Sequence, residues 1–479
     1  MTRRTLAKED YSGRIGYKIH KMPWSVGILI ILLTCLVGSQ LGSAARAQVQ
    51  PTDTSINAQE GSGVIAQYQV YPNGEGKFAN YQPNGATSTD NAFFQSLGTN
   101  GRACVSCHQL QDGLSITPSH IAARFETSNG SDPIFRLVDG ATCPNADVST
   151  SGAQRAAYSL LLNKGLIRVE RQVPGNAQFT ITAVDDPYKC SDISNGKISV
   201  YRRPLPATNI RFAAVVMWDG REPSLASQAT NATLIHAQAA SGPSADQVNQ
   251  IVQFQRGMFT AQVFSNEAGP LDANGSLSGP RNLAGENFAI GENDPTVPAS
   301  FNPLVFTLYQ AWLDSNTDSR AAIARGEDIF NNRVFTIDNV AGLNDDHFGG
   351  SSIQGTCSTC HNAFNVGNNS IPLFLNTGVS AADQRTSDLP LFTLRCNTGP
   401  LKHQTFQTTD PGRAMVTGLC TDIGKMKVPN LRGIEARSPY FHNGTPQEIQ
   451  DVVNFYNNRF RIGLSAQDIS DVTSFLQTL

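Results

Sequence analysis

Two short segments of the chain place a pair of cysteines next to a histidine: C-V-S-C-H at residues 104–108 and C-S-T-C-H at residues 357–361. Cysteines at this spacing lie on one side of a helical turn. Their thiols can form thioether bonds to the vinyl groups of a single haem, and the next histidine then lies beneath the iron as its proximal ligand. Neither a zinc site nor a redox dithiol requires that adjacent histidine. The sequence therefore predicts two covalent c-type haems, held by Cys104, Cys107, Cys357 and Cys360 and ligated by His108 and His361.

The charge balance of the chain argues against binding to polyanions. The chain has 36 Lys and Arg against 39 Asp and Glu. Residues 1–47 contain seven of the basic and two of the acidic side chains, so the rest of the chain has 29 against 37. A surface with this excess of acid is unsuited to nucleic acid. With 40% hydrophobic residues, the chain can still bury a core.

Residues 1–47 have the pattern of an export signal. A basic stretch ends at Lys21, an apolar run follows over Val26–Val37, and Ala45-Arg46-Ala47 resembles a cleavage site. We expect cleavage there and a soluble, periplasmic mature protein; a retained membrane anchor is the alternative. Either way the folded part lies outside the cytoplasm.

Four further cysteines fit an oxidising compartment. They are Cys143, Cys190, Cys396 and Cys420. Four cysteines allow three pairings, and we favour Cys143–Cys190 with Cys396–Cys420 because each bridge then closes a loop within one half of the chain. Buried free thiols are the alternative.

The elements that must position the haem motifs are predicted to be mainly helical. Apolar spacing predicts helices over Arg320–Phe330, Pro446–Asn457 and Ser465–Leu479, the last capped by Ser465, and a short helix over Asn91–Leu97. The segments Leu166–Val173 and Gln178–Ala183 suggest a β-hairpin.

The motifs lie far apart, and the Gly/Pro/Asn-rich stretch Gly269–Pro303 is the best boundary between them. We therefore predict a mainly α fold with two cytochrome c-type haem domains, long loops and minor β-hairpin content. After the signal peptide at 1–47, the N-terminal haem domain spans 48–290 and the C-terminal haem domain spans 291–479.

Two further segments resemble the bacterial diheme cytochrome c peroxidase and MauG superfamily. One is M-W-D-G-R-E-P-S-L-A-S-Q at residues 217–228. The other is K-V-P-N-L-R at 427–432, followed by P-Y-F-H-N-G at 439–444 and V-V-N-F-Y at 452–456. The resemblance implies a periplasmic oxidoreductase that reacts with hydrogen peroxide or oxygen at the first haem. It also implies a small redox protein, a cytochrome or cupredoxin, as a possible electron donor.

The resemblance implies roles around the first haem. Trp218 matches the family's electron relay between haems, although it can also be a buried core tryptophan. Gln228 matches a distal amide that hydrogen-bonds iron-bound peroxide, or it is a helix-surface glutamine. Peroxidases place an acid/base glutamate where this chain has Gln238, which cannot titrate. The nearby His236 can replace that acid/base, ligate the iron or only pack in the core. His120 is either another sixth ligand or an exposed loop histidine.

At the second haem, Tyr456 falls where peroxidases have a methionine ligand and where MauG has tyrosine. An anionic oxygen ligand would favour ferric iron; a core tyrosine is the alternative. Met415 and Met426 are rival sulfur ligands away from that position.

The resemblance also raises the question of calcium between the domains. The family uses an asparagine and the backbone carbonyls of the segment matching Arg437–Pro439. The asparagine position here holds Arg203, and a cation beside Ca²⁺ is unfavourable. Calcium is therefore doubtful.

Three functions follow, of which the peroxidase/MauG-type oxidoreductase is preferred. A non-enzymatic electron carrier would have both irons six-coordinate. A diheme oxygenase acting on an organic substrate could form its pocket from the unassigned region between Gln109 and Arg202.

Overall fold

Short helices and small antiparallel sheets, joined by long connections, build the protein in this computed structural model. The structure describes residues 63–291, 296 and 302–479. The predicted signal peptide at 1–47 lies outside the described residues, and so does part of the Gly269–Pro303 boundary. The described residues fall within one compact unit, Ser55–Leu479. The division into haem domains at 48–290 and 291–479 stays a prediction.

The described part of the chain contains twelve α-helices. Their bounds are α1 Pro118–Ser128, α2 Ser151–Ala157, α3 Ser159–Lys164, α4 Leu225–Ile235, α5 Ala245–Gly257, α6 Pro280–Gly285, α7 Asp318–Asn332, α8 Asn344–Phe348, α9 Cys357–Cys360, α10 Ala414–Thr417, α11 Ile449–Phe460 and α12 Ala466–Gln477.

Fifteen short strands also lie in the described ranges. Their bounds are β1 Val64–Ile65, β2 Tyr68–Asn73, β3 Gly76–Tyr81, β4 Thr87–Ser88, β5 Ile167–Gln172, β6 Phe179–Asp185, β7 Lys197–Arg202, β8 Phe259–Ser265, β9 Gly269–Pro270, β10 Phe335–Ile337, β11 Ile353–Gly355, β12 Phe374–Leu375, β13 Leu391–Cys396, β14 Thr405–Thr408 and β15 Met426–Lys427. The sheet orders are β1-β4, β2-β3-β8-β9, β5-β7, β14-β13-β6, β10-β11 and β12-β15. The mainly α prediction is confirmed only in part, because the strands amount to more than a minor hairpin.

The predicted hairpin has the right strands but the wrong partners. β5 pairs with β7, and β6 leaves the hairpin to pair with β13 from the C-terminal half. The connection between β5 and β6 contains Pro174, Gly175 and a turn in which Ala177 N–H donates to Pro174 O. Side-chain packing then selects the partners: Phe179 and Phe392 share one core cluster with Val200. Strand pairing of this kind depends on contacts that are distant in sequence.

The region between Gln109 and Arg202, unassigned from the sequence, is α1–α3 followed by β5–β7. The predicted disulfides are confirmed: Cys143 is bonded to Cys190, and Cys396 to Cys420. The second disulfide lies in the core cluster of the sheet β14-β13-β6, which strands of this region share with the C-terminal segment.

The helices predicted near the second motif are confirmed, with shifted ends. α7 includes Arg320–Phe330, and α12 begins after its cap Ser465, whose Oγ accepts from Asp468 N–H at 3.1 Å. α11 begins later than predicted, after the cap Glu448. The helix predicted over Asn91–Leu97 is only a 3₁₀ turn at Ala92–Phe94, because Gln95 adopts an extended conformation.

The helices α7 and α12 cross so closely that a glycine is required. A Cβ added at Gly326 would lie 2.0 Å from the carbonyl oxygen of Asp471. The crossing lies in the core cluster that contains Phe306, Phe330 and Phe475, and Cys357 of the second motif packs against this cluster. The helix pair thereby supports one side of the second motif.

No helix within residues 63–291 and 302–479 is long and apolar enough to cross a membrane.

Candidate functional site

The first C-x-x-C-H motif forms a tight turn that presents its histidine in one tautomer. Residues Cys104–Ser106 form a 3₁₀ turn, and His108 N–H donates to Cys104 O at 3.0 Å. The ring nitrogen Nδ1 of His108 lies 3.0 Å from Leu114 O. A carbonyl can only accept, so Nδ1 carries the proton and Nε2 keeps its lone pair. Burial lowers the pKa of His108, which keeps the ring neutral and able to bind a metal.

The second motif repeats this arrangement. His361 N–H donates to Cys357 O at 3.1 Å, and His361 Nδ1 lies 2.6 Å from Gly367 O. In both motifs the accepting carbonyl is six residues after the histidine. Burial lowers the pKa of His361 to about 4. Two unrelated stretches of chain therefore present an Nε2 lone pair in the same way, as a proximal ligand requires.

The four motif cysteines suit thioether bonds better than metal or redox chemistry. All four lie in the described part of the chain, and none belongs to either disulfide. Burial raises the pKa of Cys104 and of Cys357 to about 12, so both are thiols, and the addition of a thiol S–H across a haem vinyl group gives a thioether. Among the described residues, no group of three or more His, Cys, Asp or Glu could hold a metal ion.

Each motif opens onto its own cavity. The first cavity, of about 170 Å³, is lined by Cys104, Cys107 and His108. The second cavity, of about 230 Å³, is lined by Cys357, Cys360 and His361. An apolar cavity with paired thiols and a neutral imidazole at its edge fits a covalently bound haem.

The first cavity contains both polar residues predicted for it from the resemblance. Gln228, on α4, lines the cavity, and so does His236 at the end of the same helix. His236 Nδ1 is hydrogen-bonded to Asp139 Oδ2, and Asp139 is also ion-paired with Arg102. Burial raises the pKa of Asp139, but the hydrogen bond from His236 and the charge of Arg102 outweigh it and lower the pKa. Asp139 is therefore an anion that fixes the ring of His236 with Nε2 turned away from it.

The position of the family's glutamate lies outside the cavity. Gln238 is exposed, has a positive φ of 54° and accepts a hydrogen bond from Asn100 Nδ2 at 3.1 Å. It is absent from the residues that line the first cavity. The side chain of His120 is also outside that cavity; it is 46% exposed and paired with Asp112. His120 lies in the first turn of α1, not in a loop.

The second cavity contains two of the three candidate sixth ligands. Tyr456 on α11 and Met426 on β15 both line it. Met415 instead lies in the core cluster around the sheet β14-β13-β6. Burial raises the pKa of Tyr456 to about 12, and its hydroxyl is hydrogen-bonded to Thr377, which opposes that rise.

Seven residues line both cavities and are called the shared wall: Arg203, Pro204, Leu205, Pro206, Trp218, Lys427 and Asn430. Trp218 is fixed within it at two points. Its Nε1 donates to Arg203 O at 2.9 Å, and its carbonyl accepts from Lys427 N–H at 2.9 Å. The indole predicted as a relay thus lies between the two cavities.

The residues at the calcium position do not fit a calcium ion. Arg203 Nη2 donates to Ile116 O at 2.6 Å and to Arg437 O at 3.0 Å, and Nη1 donates to Lys164 O at 2.8 Å. The guanidinium therefore occupies the carbonyl oxygens that a cation would need, one of them in the segment Arg437–Pro439. Its positive charge would also repel Ca²⁺.

Three polar residues at the cavities were missed from the sequence. Asp139 is far from His236 in the chain and belongs to no recognisable motif. Lys427 was noted only as part of K-V-P-N-L-R, and His442 only as part of P-Y-F-H-N-G. His442 is 1% exposed, packs edge-on against Trp218 with ring centroids 6.2 Å apart, and neither ring nitrogen has a hydrogen-bond partner among the described residues. Burial lowers its pKa to about 4. The motifs pointed to the segments, but only the fold shows which side chains face the cavities.

No family model matches the chain. Two curated proteins are similar to a short part of it. One is cytochrome-c peroxidase IdrP1 of Denitromonas iodatirespirans, 35% identical over 12% of this chain and 18% of the relative. The other is cytochrome-c peroxidase IdrP1 of Pseudomonas sp. (strain SCT), 33% identical over 15% of this chain and 21% of the relative. The chain thus spans about a fifth of the length of the curated relatives it matches.

A solved structure described as a MauG-like protein associated with microbial copper homeostasis aligns with 81% of this chain and 86% of that chain, at 16% identity and a TM-score of 0.38. The two peroxidases are in agreement with the resemblance to the diheme cytochrome c peroxidase and MauG superfamily.

Proposed function

We propose that the chain is a diheme c-type oxidoreductase of the peroxidase/MauG type, matured with one covalent haem in each cavity and exported to the periplasm. The observation that carries this proposal is the repeated C-x-x-C-H geometry, with Nδ1 of each histidine on a carbonyl six residues later and a cavity beside each motif. When bound, haem supplies an iron that activates peroxide or oxygen and can store oxidising equivalents.

The side chains of the first cavity would bind and orient the peroxide. The Gln228 amide can donate a hydrogen bond to one oxygen of the peroxide and accept one from the O–H group of the peroxide. His236 can take a proton at Nε2 and return it, because Asp139 holds its Nδ1 proton. This pair would do the work of the glutamate that Gln238 does not supply.

The side chains of the shared wall would serve electron transfer between the cavities. Trp218 provides a polarizable, oxidisable π-system where the path would otherwise cross saturated side chains. Its indole N–H is held by the carbonyl of Arg203. The proposed electron donor is a small redox protein, a cytochrome or cupredoxin.

The first test is spectroscopic. After maturation in a host that attaches c-type haem, acid–acetone should leave the pigment on the protein, and iron analysis should give two irons per chain. A high-spin ferric signal in electron paramagnetic resonance and a Soret change on adding hydrogen peroxide would support an open first iron. Extraction of all pigment would refute the proposal. Two low-spin signals without peroxide reaction would instead support the electron carrier, with His236 as a ligand.

The second test concerns the acid/base residue. We expect His236→Ala to slow peroxide consumption on the order of 100-fold, since general acid–base catalysis contributes 10²–10⁴-fold. The matched control is His120→Ala, a histidine outside the cavity, which should react normally. Asp139→Asn should slow the reaction as well, but should cause no further loss in the His236→Ala background. Equal rates for His236→Ala and the unmodified protein would remove His236 from the mechanism.

A further inference from the structure

Most cations that line the two cavities are paired with a carboxylate. In the first cavity, Arg102 is paired with Asp139, Arg202 with Asp219 at 2.7 Å and Arg221 with Asp219 at 3.0 Å. In the second cavity, Arg333 is paired with Asp468 at 3.1 Å. These pairs balance the charge of each cation inside the protein.

Three cations have no such partner among the described residues: Arg203, Lys427 and Arg437. Arg203 and Lys427 belong to the shared wall, and Arg437 lines the second cavity. Their hydrogen bonds go to backbone carbonyls only. Lys427 Nζ donates to Val215 O at 3.3 Å, and Arg437 Nη2 donates to Arg432 O at 3.0 Å.

Unpaired positive charge in an apolar wall is unfavourable, and three like charges add mutual repulsion. Burial and, to a smaller extent, the charge of Arg437 lower the pKa of Lys427 to about 8. Burial also lowers the pKa of Arg203 and of Arg437 to about 10. The wall is thus arranged to receive anions from the groups that fill the cavities.

A covalent haem carries its own anions. Its vinyl-bearing edge is bonded to the motif cysteines, and its propionate carboxylates extend from the opposite edge of the ring. Resting on the proposed function, we propose that Lys427, supported by Arg203 and Arg437, is the shared counter-ion of the propionates of both haems. A lysine suits this role because its ammonium is a compact charge with three donors and can serve two carboxylates at once.

The arrangement has a consequence for electron transfer. Reduction adds negative charge to a haem, so a nearby fixed cation favours the reduced form. Lys427 lines both cavities, and its backbone N–H donates a hydrogen bond to the carbonyl oxygen of Trp218. One side chain would therefore raise the midpoint potentials of both haems together.

The experiment is a potentiometric titration of the haem-loaded Lys427→Met protein without substrate. We expect the ferrous-to-ferric ratio of both haems at a fixed potential to fall on the order of tenfold, a shift of about 59 mV for a one-electron couple. Lys427→Arg should keep both potentials near those of the unmodified protein, which also tests the proposal should the methionine variant fail to fold. Arg333→Met is the matched control. Arg333 lines only the second cavity and is already paired with Asp468, so its replacement should not change the ferrous-to-ferric ratio of either haem tenfold.

The proposal is overturned if Lys427→Met, with covalent haem intact, leaves either potential unchanged. It is also overturned if added phosphate at constant ionic strength displaces both potentials of the unmodified protein, because the wall would then be open to free anions. Neither result contradicts the proposed function. That function is refuted by a different result, the loss of all haem in the acid–acetone extraction.

Discussion

Two side chains of the second cavity could supply a further ligand to a haem bound there. Tyr456 and Met426 both line the second cavity, and they would give opposite redox properties. A thioether raises the potential, whereas an anionic oxygen stabilises ferric iron. Burial raises the pKa of Tyr456 to about 12, so the phenolate forms only when a strong positive centre lies next to the oxygen.

We therefore expect Tyr456→Phe to alter the electron paramagnetic resonance spectrum of the second haem and to raise its midpoint potential, because an anionic ligand is removed. Met426→Leu, a change of similar volume in the same cavity, should leave both unchanged. If the methionine variant alone changed the spectrum, sulfur would be the ligand and the MauG-like assignment of Tyr456 would fail.

The second motif packs against the core formed where the helices α7 and α12 cross. The close approach at Gly326 brings Phe330 and Phe475 into the cluster beside Cys357. Helix propensity alone favours alanine over glycine in the middle of a helix. At this position packing outweighs propensity, because a methyl group would overlap the backbone of the partner helix.

Gly326→Ala should lower the free energy of unfolding by about 2–3 kcal/mol through overpacking. The matched control is Gly257→Ala in α5, where an added Cβ meets no atom within 4 Å. That variant should gain about 0.5 kcal/mol from reduced chain entropy. Urea unfolding followed by circular dichroism measures both, and a stabilised Gly326→Ala protein would contradict the observed crossing.

The sheet β14-β13-β6 is the other element whose stability can be tested. The bond Cys396–Cys420 closes a loop with a sequence separation of 24 beside this sheet. Replacing both cysteines by alanine should cost about 3 kcal/mol, the usual range for a loop of this length. Thermal unfolding with and without reductant checks this: the reductant should destabilise the unmodified protein and have a smaller effect on the variant, which keeps only Cys143–Cys190. Equal stability of the two proteins would show that the bond is absent in solution.

A buried charge cluster connects distant parts of the chain. Arg202 on β7 is paired with Asp219, next to Trp218, and with Asp410 at 2.6 Å from the C-terminal half. All three are 2% exposed or less. Burial raises the pKa of both aspartates, but the charge of Arg202, joined at Asp219 by Arg221 and Arg171, outweighs it, so both pKa values are lowered.

Arg202→Met should therefore cost about 3–5 kcal/mol at neutral pH, since the buried carboxylate of Asp410 loses its arginine partner and Asp219 loses one of its arginines. The lowered aspartate pKa values give stability that is present above the unfolded value of about 3.9 and is lost as pH falls below it. The difference between the variant and the unmodified protein should accordingly shrink toward acid pH. Urea unfolding at pH 7 and near pH 3 measures it, and an equal difference at both pH values would exclude these carboxylates as the cause.

The correct predictions concern features that depend on residues close together in the chain. The two C-x-x-C-H motifs, the helix of Arg320–Phe330 and the Ser465 cap depend on neighbours within a few residues, and such patterns can be read along the chain. The disulfide pairs were also predicted correctly, because pairing each cysteine within its own half of the chain left one arrangement. The turns that hold the two histidines are equally local, because the carbonyl that accepts from His108 or His361 is only six residues away.

The contacts between distant side chains became visible only in the folded chain. The pairing of β6 with β13, the contact of Asp139 with His236 and the position of Lys427 on both cavities join segments separated by tens to hundreds of residues. It also showed that Arg203, whose presence made calcium doubtful, donates to the carbonyl of Arg437. The physical reason is that burial, packing and charge pairing act between surfaces that are formed only when the chain folds, and no local pattern in the sequence records them.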